Sequence, residues 1–194
     1  MRTGVAGLIL AAGEGTRFGP SPKLLAELGG RRLLEHAVRA QCEVPAIEPV
    51  VVVLGAHADQ IRERVDFMRA QVVVCQDWRD GQAASLRRGL EEVRDAQRVI
   101  VTLGDEPLIG ADVVARFLTA PSGARALYNG RPGHPVVLGP EHIEQLMSLT
   151  GDRGARDLLA GGPELELGGA GDLGRDVDTT DDLERMRNEA RAVV

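Results

Sequence analysis

Two rhythms alternate along this chain. Val5–Leu10, Val50–Leu54, Val72–Cys75 and Val99–Leu103 are continuous apolar runs rich in β-branched residues. Such runs predict short strands buried on both faces. Between them, Leu33–Cys42, Asp59–Val65 and Ser85–Val93 repeat apolar residues at three- and four-residue steps, which predicts amphipathic helices. Strand and helix in alternation predict an α/β fold: a three-layer, doubly wound, mostly parallel sheet of Rossmann-like type. Right-handed crossovers then gather the loops that follow the strands along one edge of the sheet.

The second half is less regular. Ala111–Leu118 and Pro140–Leu149 read as helices, the latter with proline in its first turn. Ala126–Asn129 and Pro135–Leu138 can pair through a turn at Gly130–Gly133. Arg153–Leu159 reads as a short helix, and Asp181–Arg191 as a charged closing helix capped by Thr179 or Thr180. Gly161–Arg175 holds six glycines and few apolar residues, so it reads as a mobile loop able to close over a substrate. With 194 residues and no internal repeat, the expectation is a single domain over residues 1–194.

Composition narrows the function classes. Hydrophobic residues at 43% and charged residues at 27% suit a packed chain rather than a disordered one. A net charge of −6 and only five aromatic side chains argue against a nucleic-acid partner, since neither counterion release nor base stacking has a basis. The longest apolar runs, Val5–Ala12 and Val50–Leu54, fall far short of the ~20 residues of a membrane span. The N-terminus fits no signal peptide, and Cys42 and Cys75 form no CxxC pair, so a cytoplasmic protein with buried thiols is expected. One cation stands apart: Lys23 is the single lysine among 23 basic side chains.

Lys23 closes the segment Leu10-Ala11-Ala12-Gly13-Glu14-Gly15-Thr16-Arg17-Phe18-Gly19-Pro20-Ser21-Pro22-Lys23, which follows the first strand directly. Glycines there either let backbone N–H groups approach phosphate oxygens or simply supply positive φ. Two common phosphate motifs fail: GxGxxG wants glycine where Phe18 stands, and Walker A wants glycine just before the lysine and Ser or Thr after it. Arg17 and Lys23 can grip a polyphosphate from two sides, Arg bidentately and Lys as a point charge; otherwise they are solvated surface cations.

The stretch LAAGEGTRFG followed by Lys23 resembles the signature of the Mg-dependent nucleotidyltransferases, and within them the molybdenum cofactor cytidylyltransferase-like (MobA-like NTP transferase) group. The resemblance extends over nearly the whole chain and implies a nucleotidyltransferase domain. It implies that Leu10, Ala11, Ala12, Gly13 and Gly15 wrap the nucleotide, with Arg17 and Lys23 stabilising charge at the α-phosphate and the departing pyrophosphate. Gly104-Asp105-Glu106-Pro107, at the end of the Val99–Leu103 run, is similar to the family's strand-end motif, whose aspartate binds Mg²⁺. On residues alone Asp105 could equally cap a helix or turn; by resemblance it holds the metal, with Glu106 and Pro107 shaping the turn.

A lone carboxylate is a poor Mg²⁺ cage. Arg175-Asp176-Val177-Asp178-Thr179-Thr180-Asp181-Asp182-Leu183 is similar to a D-x-D-T-P-x-D-L pattern that completes the family's site, with Thr180 in place of proline. Asp178 is the chosen second ligand and Asp176 the alternative; helix capping by the same cluster is the other reading. Gly81 to Leu86 resembles a G-x-x-S-S-L segment beside the nucleotide, with Ala84 replacing the first serine. Gly81 and Ser85 are the expected contacts there, although Ser85 also reads as a helix N-cap. GHPV at Gly133–Val136 resembles an element typical of the family, which implies an acceptor-binding role for His134; on residues alone His134 could equally hold the turn. Gly151-Asp152-Arg153-Gly154-Ala155-Arg156 resembles a late GDxGAR element, so Arg153 or Arg156 can meet an anionic pterin or its phosphate, or be plain helix-end charges.

The activity implied is Mg²⁺-dependent transfer of CMP from CTP to molybdopterin, with a molybdoenzyme as a client. LAAG, rather than a variant with paired glycines, resembles the cytidylyl members more than the guanylyl ones. GTP, a sugar phosphate or a polyol phosphate are the nearer alternatives; a dinucleotide-dependent reductase or a pterin carrier are the distant ones. The reductase would need glycine at Phe18 and an acid after the second strand, where Leu54-Gly55-Ala56 stands.

Overall fold

A computed structural model describes residues 3–147, 158–167 and 173–192. The strands are β1 (Thr3–Ala11), β2 (Glu27–Leu28), β3 (Arg31–Arg32), β4 (Ile47–Leu54), β5 (Gln71–Val74), β6 (Ala96–Leu103), β7 (Arg125–Tyr128), β8 (Arg131–Leu138) and β9 (Glu164–Glu166). The helices are α1 (Leu33–Cys42), α2 (Ala58–Arg64), α3 (Gln82–Glu92), α4 (Ala111–Arg116), α5 (Pro140–Met147) and α6 (Thr180–Ala192). The main sheet runs β5–β4–β1–β6–β8–β7–β9, and β2 and β3 form a separate hairpin. β5, β4, β1 and β6 pair in parallel; β8 is antiparallel to both β6 and β7, and β9 is parallel to β7.

The two faces of the sheet follow from residue parity. Ile9, Val50, Val52 and Ile100 pack with Leu34, Ala37, Val38, Val114 and Phe117 of the α1/α4 side. Their neighbours Leu8, Val51, Val53, Val99 and Val101 point the other way, against Leu86, Leu90, Ile143 and Leu146 of α3 and α5. Side chains on a strand alternate between faces, so an unbroken apolar run feeds both layers at once. One polar group ties α1 to the sheet: Gln41, fully buried, donates through Nε2 to Thr102 Oγ1 at 2.9 Å and to the carbonyls of Ile100 and Leu8 at 3.2 and 3.3 Å. It lies over Gly7, where a Cβ would come within 1.8 Å of its Oε1, so only glycine leaves room.

The expected doubly wound, mostly parallel sheet is therefore present, with three differences in detail. The hairpin between β7 and β8 turns at Asn129-Gly130, both with positive φ, rather than across Gly130–Gly133. Two residues with positive φ make the tight turn that matches strand twist. The Gly161–Arg175 stretch is not simply a loop. Its Glu164–Glu166 joins β7 as an edge strand, with Arg125 N donating to Pro163 O and Leu167 N to Leu127 O, both at 3.0 Å. Lastly, Gly81 occupies the N-cap of α3, so Ser85 lies inside that helix and is not its cap. The end of the expected Pro140–Leu149 helix and most of Arg153–Leu159, with Arg153 and Arg156, lie outside the described residues.

Candidate active site

The strand ends bring the glycine loop and the acidic segments together. β1 delivers Ala12 and Gly13, and β6 delivers Gly104 and Asp105. The two ends are tied where Gly104 N donates to Leu10 O at 2.9 Å. Close approach requires glycine here: a Cβ on Gly104 would meet Leu34 Cδ1 at 2.9 Å and Ala11 Cβ at 3.0 Å. Val177, fully buried between α6 and the β2–β3 hairpin, donates its N–H to Asp105 O at 2.9 Å. That bond holds the Asp176–Asp178 segment beside β6 although some seventy residues separate them.

Around this junction lies a clamp of four side chains. The Lys23 ammonium donates to Asp105 Oδ2 at 2.6 Å and to Asp178 Oδ1 at 3.1 Å. Arg17 Nη2 lies 2.7 Å from Asp178 Oδ2. Lys23 is 11% exposed, whereas Arg17 is 73% exposed, so the first is set in the wall and the second reaches in from solvent. Burial pushes the Lys23 ammonium down, but Asp105 and Asp178 outweigh it and hold the group above the usual lysine value. Gly15, at φ 66°, lies against the Lys23 stem; a Cβ there would sit 3.1 Å from Cγ. Asp176 is drawn into the same field: burial, then Asp178 and Asp105, push its carboxyl up.

Beside the clamp opens a cleft of about 610 Å³. Leu10, Ala12, Gly13 and Glu14 form one wall, and Gly81, Gln82 and Ser85 at the start of α3 form the other, with Asp105 at the end. Ala11 turns its methyl into the core instead. Trp78 and Arg79 also line the cleft, the guanidinium stacked 4.3 Å over the indole centroid. Trp78 and Arg79 are not among the site residues expected from the sequence. Their position just before a helix that opens on a glycine was the available signal. A smaller cavity of about 180 Å³ adjoins the cleft, sharing Leu10, Gln82 and Leu103 with it and reaching His134 on β8. His134 is thus on the far side of Gln82 from the glycine loop.

A model of the MobA-like NTP transferase domain matches residues 7–167. The chain belongs to the MobA-like NTP transferase family. By family and by fold it is a nucleotidyltransferase. Among curated relatives, nicotine blue oxidoreductase of Paenarthrobacter nicotinovorans is 33% identical, over 94% of this chain and 96% of that protein. The bifunctional protein GlmU of Koribacter versatilis is 36% identical over 68% of this chain, a match that spans 29% of that longer protein. Rv0371c of Mycobacterium tuberculosis H37Rv superposes at a TM-score of 0.86 and 28% identity, covering 97% and 99% of the two chains. Rv0371c has also been solved with manganese; that structure superposes at 0.82 and 26% identity, covering 96% of this chain and 99% of that one.

The donor set of this MobA-like chain suits a hard divalent cation. Two carboxylates from separate segments converge on one cationic centre, the Lys23 ammonium, within bonding distance of both. Among the described residues no three His, Cys, Asp or Glu side chains form a metal cage. Two carboxylates supplemented by phosphate oxygens is how Mg²⁺ is commonly held. No helix among the described residues is long and apolar enough to cross a membrane.

Proposed function

We propose that the chain transfers a nucleotidyl group from a nucleoside triphosphate, with CTP favoured, to the phosphate of a molybdopterin-type acceptor. The observation that carries this reading is the clamp in which Lys23 bridges Asp105 and Asp178 while Arg17 grips the latter. An acceptor phosphate oxygen attacks the α-phosphorus in line. The new P–O bond forms as the bond to the bridging oxygen breaks, and pyrophosphate leaves with that electron pair. The acceptor phosphate is already ionised at neutral pH, so no side chain needs to remove a proton. Asp105 and Asp178 would hold Mg²⁺, which supplies charge neutralisation at the phosphate oxygens.

The remaining work falls to this chain. Backbone N–H groups of Gly13 and Gly15 and the start of α3 at Gly81, Gln82 and Ser85 orient the triphosphate and base. Arg17 and Lys23 stabilise the crowded negative charge of the transition state; losing one such donor typically costs 10²- to 10³-fold in turnover. His134, and Arg156 outside the described residues, are assigned to the acceptor. Buried, unpaired Cys42 and Cys75 fit a cytoplasmic setting.

One relative favours a second reading. A protein 33% identical over nearly its whole length bears the name of an oxidoreductase. Phe18 and Leu54-Gly55-Ala56 oppose a dinucleotide site of the usual kind. The assay that decides supplies Mg²⁺, each nucleoside triphosphate in turn and molybdopterin, and measures pyrophosphate. A parallel arm follows oxidation of NADH or NADPH by nicotine blue. Pyrophosphate release selective for CTP is the expected result. Release with no triphosphate, alongside oxidation of a nicotinamide, replaces the transferase reading with the other. In the same assay Asp105→Asn is expected to abolish metal-dependent turnover while its circular dichroism stays that of the parent; full activity removes Asp105 from the mechanism.

A further inference from the structure

A second cavity, of about 410 Å³, shares no lining residue with the nucleotide cleft. The β7–β8 hairpin forms one wall through Tyr128, Asn129, Arg131 and Pro132, and the segment ending at Asp176 forms the other. Two glycines set its shape. A Cβ on Gly133 would meet the Tyr128 ring at 3.0 Å, and one on Gly174 would meet it at 2.4 Å, so both walls close on that ring only because neither residue carries a side chain. The Tyr128 hydroxyl donates to the His134 carbonyl at 2.5 Å, which fixes the ring from its far end. A pocket held in this way is formed before any ligand arrives.

The cavity reaches the clamp through Asp176. Asp176 and Asp178 flank Val177, which is buried and donates its N–H to Asp105 O at 2.9 Å. The nucleotide cleft borders the same junction at Asp105. Two separate cavities thus meet one junction, the cleft at Asp105 and the second cavity at the Asp176–Asp178 segment. Transfer between two substrates needs two seats that converge on one reacting centre. Arg131 supplies the charge of the second seat. It is exposed, lines the cavity and takes no ion pair or side-chain hydrogen bond among the described residues. The other guanidinium there, Arg175, is paired with Glu189. A planar guanidinium with no carboxylate partner suits a phosphate, which it can bind bidentately. Asp176, on the facing wall, accepts from N–H and O–H donors and repels a bare anion.

We propose that this cavity seats the acceptor and that Arg131 selects it by its phosphate. The class is an organic phosphate ester that carries N–H or O–H donors: Arg131 takes the phosphate and Asp176 the donors. Free phosphate satisfies the first and brings the second little but a like charge. A molybdopterin-type pterin and a sugar phosphate share this chemistry. The inference rests on the nucleotidyl transfer proposed above and gives its second substrate a place. At Pro132 and Gly133 the cavity meets the small one that reaches His134, so an acceptor seated by Arg131 extends toward the residue already assigned to it.

The full chain is assayed at saturating CTP and Mg²⁺ with molybdopterin or a sugar 1-phosphate as acceptor. For whichever acceptor releases pyrophosphate, Arg131→Ala is expected to raise its KM about ten- to a hundredfold, the scale of one hydrogen-bonded charge, and to leave the CTP KM within about twofold. Arg131→Lys is expected to recover part of the loss, and Arg131→Glu to lose more than Arg131→Ala. Arg62→Glu, the same charge change at an exposed position on α2, is expected to leave both KM values unchanged. Calorimetric titration of each acceptor without triphosphate reads the cavity apart from turnover. The acceptor is expected to bind the wild type, to weaken in Arg131→Glu, and to bind at least about tenfold more tightly than inorganic phosphate. An acceptor KM indifferent to Arg131→Ala, an equal rise in the CTP KM, or binding indifferent to Arg131→Glu overturns the proposal, as does the failure of both acceptors to bind. No pyrophosphate from any triphosphate, with acceptor binding still dependent on Arg131, removes the transfer reading instead and leaves the cavity assigned.

Discussion

Lys23 shares its ammonium between two carboxylates in a space only 11% exposed, and that makes its shape matter as much as its charge. Arginine carries the same charge on a wider, planar group that cannot occupy a point between two oxygens. Lys23→Arg is therefore expected to lower kcat by about 10²-fold or more, the scale of a lost transition-state donor, whereas a surface lysine tolerates the change. Because the folded state holds this ammonium above its usual value, its contribution to stability is complete at neutral pH. That contribution is lost only as pH rises past the ordinary lysine range toward the folded value. Lys23 was legible as the single lysine at the end of a glycine loop. Arg131 was not, because nothing local distinguishes it from the chain's other arginines and only the fold sets it in one cavity with Asp176. Trp78 offers a direct readout of the cleft. It is the only tryptophan and lines that wall, so saturating CTP is expected to change its emission, measured by titration; Trp78→Phe removes the signal.

At the scale of elements, α6 shows how a helix cap serves a site. Thr179 and Asp182 form reciprocal bonds: Thr179 N donates to Asp182 Oδ2 at 2.8 Å, and Asp182 N to Thr179 Oγ1 at 3.2 Å. Asp178 N donates to the same Oδ2 at 3.2 Å, so the cap also fixes the backbone that presents Asp178 to the clamp. Replacing the capping acid in Asp182→Ala is expected to cost about 1 kcal/mol of stability by chemical denaturation and to weaken turnover through Asp178. The Thr179 hydroxyl first, then its backbone N–H and Arg185, hold the Asp182 carboxyl down at about 2. The cap's contribution is thus present above the usual aspartate range and fades as pH falls toward 2. The strands of the first half were readable because each is an apolar run of β-branched residues. β9 was not: Glu-Leu-Glu offers one apolar residue in a glycine-rich stretch, and only pairing with β7 makes it a strand. The β2–β3 hairpin escaped for a similar reason, at two residues a side.

For the whole molecule, the clamp joins segments far apart in sequence: the loop after β1, the end of β6 and the start of α6. A ligand that binds there binds only the folded chain, so it stabilises all of it. At about 100 times its Kd, CTP with Mg²⁺ is expected to add roughly 2.7 kcal/mol. For a chain of this size that is a rise in Tm of about 5–10 °C by differential scanning fluorimetry. No shift with any triphosphate would argue against a nucleotide site. The net charge of −6 described this molecule poorly. On the proposed reading a polyanion would be met by Lys23 and Arg17, which the β1–β6 junction brings together and composition hides.

Only β8 runs against its neighbours in the sheet, and this has a consequence for how such a chain changes over time. The parallel strands supply the cleft at their ends, and altering them disturbs both core layers. The reversed strand arrives instead through a two-residue turn, and within six positions it brings Tyr128 and His134 to the same edge. On the proposed assignment of His134 to the acceptor, a short exchange of sequence between positions 128 and 135 is expected to retarget the molecule to a different recipient while leaving the proposed nucleotide cleft intact. Grafting that hairpin between relatives is a direct way to move selectivity from one member to another.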